Sequence, residues 1–197
     1  MNRLCVLALC VMLPACASLD VQRTRDARTG LERVELRDRD LSLRIVPLSR
    51  DFVVALLLGR GLPRAVAEAT RDYCTFGVTL RNLGDRPLRY RLTDWRFVTP
   101  DGHVARVRPK SDWVAQWRRA GIAFRWLLLH EAQSYQPGDW GQGLVTVPLA
   151  PGSRFDLYYS WESGGRVYEG RIRDLRCAPA DVADVAAAGP GVRGAGP

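Results

Sequence analysis

The sequence predicts a mainly β protein, an antiparallel β-sandwich of about seven to nine strands with short helical inserts. Three observations predict it. Apolar residues recur at every second position in several short runs, turn residues punctuate those runs, and two segments break the alternation with helical spacing.

Taken from the N-terminus, Arg3 precedes an apolar run, residues 4–13, that is too short to cross a bilayer core of about 30 Å as a helix and has the form of a secretory signal. The residues "LPAC", 13–16, resemble the lipobox of bacterial lipoproteins, in which a small residue precedes the cysteine that is lipidated and begins the mature chain. The resemblance makes residues 1–15 a lipoprotein signal peptide and Cys16 the lipidation site. Two kinds of acyl attachment there suffice for stable anchoring without a transmembrane helix. Ala17, and not aspartate, follows the cysteine, which by the same resemblance implies the periplasmic face of the outer membrane. The alternative is an ordinary secretory signal cut after Ala15 or Ala17, and it too exports the chain.

Of five cysteines, Cys5 and Cys10 leave with the signal and Cys16 is consumed by lipid. Cys74 and Cys177 remain as an even pair in an oxidising compartment, and a disulfide between them is expected; two buried free thiols are the alternative. The chain has only two histidines, His103 and His130, and its methionines, Met1 and Met12, lie in the signal. No metal and no cofactor are therefore expected. The net charge is +8, with Lys110 the only lysine among twenty-nine basic residues. The arginines are interleaved with acids and form no block, so nucleic acid is not an expected partner, and an anionic lipid or lipopolysaccharide surface is the remaining electrostatic one.

Residues 16–30 read as the lipidated cysteine and a flexible tether, 31–177 as the sandwich, and 178–197, "APADVADVAAAGPGVRGAGP", as a disordered tail. Leu41, Leu43 and Ile45 alternate with Ser42, Arg44 and Val46. Phe76, Val78 and Leu80 alternate with Gly77, Thr79 and Arg81, and Leu88, Tyr90 and Leu92 with Arg89, Arg91 and Thr93. Such strands have one face on a core and one in water. Further strands are expected at 104–108, 122–129, 144–149, 155–161 and 166–173, separated by "TPDGH", "LAPGS" and "ESGGR".

A helical insert is expected near 50–72. Ser49 caps a first helix through "FVVALLL", a run apolar on all sides for which a core strand is the alternative, and Gly59 and Gly61 end it. Pro63 opens a second, with Ala65, Val66 and Ala69 sharing a face with Tyr73. A short helix near 112–119, capped by Ser111 or Asp112, places Trp113 and Trp117 four apart on one face.

"TFGVTLRNLGDRPLRYRLTDWRFVTPDGH" followed by "YQPGDWGQGLVTVPLAPGSRFDLYYSW" resembles the pattern of small immunoglobulin-like domains in bacterial exported lipoproteins of unassigned function, over roughly residues 73–173. The resemblance implies an immunoglobulin-like sandwich and a role in binding or bracing other proteins.

Candidate chemistry is sparse. Ser134 lies near His130, Glu131 and Asp139 in sequence, but no nucleophile elbow surrounds it and the segment reads as a polar loop. Asp38 with Asp40, and Asp94 near Asp101, sit in turn contexts. "GDWGQG" lacks the lysine and the following helix of a phosphate cradle and reads as a turn or bulge. Catalysis is not expected. Of the six tryptophans, Trp95, Trp126 and Trp161 fall on alternating strands and read as core. Trp113, Trp117 and Trp140 fall on the short helix and a glycine-rich loop, near Arg118, Arg119 and Tyr135, the residue types that dominate interfaces. These six form the candidate surface for another envelope protein. The alternative function is lipid or glycan binding, possibly hydrolytic, in a pocket between sandwich and helices.

Overall fold

Leu41, Leu43 and Ile45 alternate with polar neighbours because β3 (Leu41–Leu48) runs with one face on the core and one outside, and its burial alternates in step. The computed structural model describes residues 19–124 and 127–182, and its strands form two antiparallel sheets. In the first, the order is β1 (Asp20–Arg25), β2 (Glu32–Asp38), β3, β4 (Cys74–Asn82) and β9 (Trp140–Val147). In the second, β10 (Arg154–Ser163) pairs with β11 (Arg166–Arg176) along one edge. Its other edge pairs with β6 (Arg96–Val98) and then with β5 (Leu88–Arg91). β7 (Val104–Ala105) extends β6, and β8 (Ala132–Tyr135) extends β5.

The inner faces interdigitate. Phe76 of the first sheet meets Phe155 and Phe97 of the second, with ring centroids 5.6 and 6.4 Å apart. Trp95 and Trp161 are buried there as expected, the Trp95 indole donating to the Ser160 carbonyl at 3.2 Å. Cys74, at the start of β4, is disulfide-bonded to Cys177, just past β11, with Cα atoms 5.5 Å apart, so one cross-link joins the two sheets. Trp126 lies outside the described residues, as do the signal segment, Cys16 and residues 183–197 of the tail.

The insert near 50–72 is helical. Ser49 caps α1 (Arg50–Leu58), its hydroxyl accepting the Phe52 N–H at 3.2 Å. Pro63 directly precedes α2 (Arg64–Glu68), and a 3₁₀ turn over Ala69–Asp72 leads into β4. α2 buries Ala67, and Val66 packs with Tyr73 against the same cluster as expected, while Ala65 of the expected face is exposed. α3 (Lys110–Arg119) packs with α1 and α2 in a second apolar cluster, in which Val53, Val54, Leu57, Ala67, Trp113 and Trp117 lie over Leu48 and Leu144. Those two leucines are on the outer face of the first sheet, so the molecule has three layers over part of its area.

Five expectations are corrected. Residues 20–25, expected in the flexible tether, form β1, which pairs with β2 from Asp20–Arg37 to Arg25–Glu32. The turn between them is held by Asp26, whose carboxylate accepts the backbone N–H groups of Arg28 and Thr29 at 3.0 and 2.8 Å. With this hairpin included, the described residues contain eleven strands, beyond the seven to nine expected. Of the strand expected at 122–129, the described residues 122–124 and 127–129 form no strand and one isolated bridge, Leu128–Leu144; Ile122, Phe124 and Leu127 pack on the helical cluster, and Leu127 has φ 76°, which does not fit an extended run. The strand expected at 104–108 ends at Ala105, because the chain then crosses to the first sheet, where Arg108 bridges Thr146. Neither Ser111 nor Asp112 caps α3. Pro109 occupies the cap position, and the Glu131 carboxylate accepts the Ser111 N–H at 2.5 Å, a cap from a distant part of the chain.

Candidate functional site

The six residues expected to form one partner surface separate in the fold. Trp113 and Trp117 are each 1% exposed and are core. The Trp113 indole donates to the Thr146 hydroxyl at 2.8 Å, and the Arg108 guanidinium lies 3.9 Å above its ring while donating to Gln116 and to the Tyr73 hydroxyl. The reason is the position of α3: it lies directly on the outer face of the first sheet, so residues four apart on its apolar face are covered. Tyr135 is 2% exposed and points inward, its phenol over Gly141, where any side chain would collide with it. Gly143 likewise makes room for the backbone of Leu129. Gly141 and Gly143 of "GDWGQG" therefore admit inward neighbours to β9, a role not foreseen from the sequence, while Gly138, with φ 84°, lies in the turn before it as expected.

Arg118 and Arg119 are exposed at the C-terminal end of α3, and Trp140 is 58% exposed at the start of β9. They do not share a patch: Thr146, under α3, lies six residues along β9 from Trp140, about 20 Å of strand. Beside Arg118, a cleft of about 280 Å³ opens between α3 and the segment after it, lined by Val114, Gly121, Ile122, Ala123 and Phe124. Phe52, 53% exposed, adds a further apolar side chain to the helical layer.

Most of the residues that could carry chemistry make hydrogen bonds that hold the fold. Glu131 caps α3, the Asp139 carboxylate accepts the Gln136 N–H at 2.9 Å in the turn before β9, and the His130 carbonyl accepts the Tyr90 hydroxyl. Ser134 is exposed on β8. Asp38 accepts the Tyr159 hydroxyl at 3.0 Å and Asp40 the Ser163 hydroxyl at 2.8 Å, so both carboxylates fasten the β2–β3 turn to β10. Burial, together with the Asp38 carboxylate, pushes the Tyr159 phenol well above its usual range, which keeps it a neutral donor. In the turn after β6, Asp101 accepts the Thr99 hydroxyl, and this holds its carboxyl below the usual range.

The space between sheet and helices, where the alternative reading places a ligand pocket, is filled by the tryptophan cluster. A cleft of about 340 Å³ opens elsewhere, between the two sheets near the disulfide. Ile45, Pro47, Phe76 and Leu175 line it, with Arg25 and Arg176 also on its wall. Among the described residues no helix is long and apolar enough to cross a membrane. The sequence matches no known family and no curated protein.

Proposed function

We propose that the chain is an exported lipoprotein, lipidated at Cys16 and held at the periplasmic face of the outer membrane, whose immunoglobulin-like sandwich acts as a non-catalytic module binding another envelope protein. The helical layer is the proposed contact. The observation that carries this reading is the apolar cleft beside Arg118, bordered by exposed arginines on an element that is itself anchored by a buried tryptophan cluster. Rigid helical placement of aromatic, aliphatic and arginine side chains is the composition of a binding hot spot. A photocrosslinker placed at Arg118 or Phe52 should give a discrete adduct in intact envelopes, and one at Val104, on the β6–β7 hairpin, should not. Equal labelling from all three positions would remove the helical layer as the contact. For the anchor, Cys16→Ser should release the chain from the membrane fraction or leave its signal uncut; unchanged outer-membrane fractionation would overturn that part.

The cleft near the disulfide favours a second reading, binding of a small amphipathic anion by the apolar floor and the two arginines; its volume is at the low end for ligand sites. Native mass spectrometry of the purified chain, with and without Phe76→Trp to fill the cleft, decides it.

A further inference from the structure

Large exposed apolar side chains are not spread evenly over this molecule. Among the described residues there are seven, and five of them, Leu19, Val21, Leu83, Trp140 and Val167, lie at one end of the sandwich. Contacts among the turns establish that end. Leu83 N–H donates to the Asp40 carbonyl at 2.6 Å, Gly138 N–H to the Asn82 carbonyl at 3.1 Å, and Ser163 to the Asp40 carboxylate at 2.8 Å. In register, one row crosses the whole first sheet there: Asp20, Arg37, Ser42, Arg81, Trp140.

The charge at this end is arranged in a particular way. Arg37, Arg39, Arg81 and Arg166 are exposed, and none has a carboxylate within 4 Å among the described residues. Asp38, Asp40 and Asp139 accept hydrogen bonds that hold the turns, and the exposed acids at this end are Asp20, Asp85 and Asp139. An indole, aliphatic side chains and guanidinium groups at a common level are the chemistry of a bilayer interface with anionic headgroups.

The chain also enters the fold here. Cys16 precedes Leu19 by three residues, a reach of about 10 Å even when fully extended. We infer that this end of the sandwich docks on an anionic lipid surface, with Trp140, Leu83 and Val167 at the interface and the arginines on the headgroups. The orientation follows: strands up to eleven residues long run away from the membrane and place the disulfide and the helical layer toward its far side. The inference rests on the proposed anchor for its geometry, and its test separates the two.

The full chain is added to or reconstituted in vesicles of phosphatidylethanolamine and phosphatidylglycerol whose acyl chains are brominated near the headgroup, and tryptophan emission is compared with that in unbrominated vesicles. The buried tryptophans are shielded, so the quenchable signal should fall about twofold or more in Trp140→Phe, and also in Arg81→Gln with Arg166→Gln or in vesicles of phosphatidylcholine alone. Equal quenching of wild type and Trp140→Phe would overturn the docking. The mass of the same sample reports lipid on Cys16 independently: an anchored chain with no Trp140 quenching refutes docking alone, and an unlipidated chain that still shows it refutes the anchor alone.

Discussion

The indole of Trp113 donates to the hydroxyl of Thr146 at 2.8 Å in a buried setting, and this is the polar contact that fastens α3 to the first sheet. It also explains why that helix cannot offer its tryptophans to a partner. Thr146→Val leaves the indole N–H without an acceptor and should cost about 1–3 kcal/mol in chemical unfolding. Trp113→Ala removes most of the helical core and should cost about 3–5 kcal/mol. Additivity of the two in the double variant would argue against the contact, since residues that touch are expected to couple.

The disulfide closes a loop between residues 103 apart in sequence. Chain-entropy arguments give it up to about 4–5 kcal/mol. Cys74→Ala with Cys177→Ala should lower the unfolding midpoint accordingly, and unreduced wild type should expose no alkylatable thiol at these two positions. A double variant as stable as wild type would remove the cross-link as a stabilising element.

Gly141 and Gly143 face the core of β9, but against different obstacles. A Cβ at Gly141 meets the far end of the Tyr135 side chain, and one at Gly143 meets the Leu129 backbone. Backbone cannot swing aside as a phenol can, so Gly143→Ala should destabilise more than Gly141→Ala, the former by about 1–3 kcal/mol. Thermal unfolding of the two variants ranks them directly.

Asp156 accepts from the Arg171 guanidinium and from the Asp174 N–H, the latter at 2.8 Å, beside the register shift between β10 and β11 where Asp174 has φ 52°. The Arg171 contact holds the Asp156 carboxyl below its ordinary range. A depressed carboxyl stabilises the fold above its unfolded pKa of about 3.9 and loses that contribution as the pH falls through the folded value. Because the pair is partly exposed, Asp156→Asn should cost only about 0.5–1 kcal/mol at neutral pH. The gap from wild type should close as the pH drops below about 4 in a series of thermal melts. A gap that widens in acid would contradict the assignment.

The strands of Leu41–Leu48, Cys74–Asn82 and Arg154–Ser163 were legible because a half-buried strand needs only local alternation to declare its two faces. The Ser49 cap and the pairing of Cys74 with Cys177 were legible for similar reasons, one resting on a side chain's reach to its own helix and the other on counting thiols. What the sequence could not decide by itself was which surface each amphipathic element meets. Trp113 and Trp117 have the spacing of an interface and the burial of a core, because a sheet face supplied by residues in β3 and β9 covers them. Val21 and Arg23 look like tether until β2 offers a partner, and Glu131 caps a helix that begins some twenty residues earlier. The clustering of Leu19, Leu83, Trp140 and Val167 at one end likewise exists only after four separate turns are brought together. Such contacts join residues far apart in the chain, and only the packing of the two sheets sets their distances.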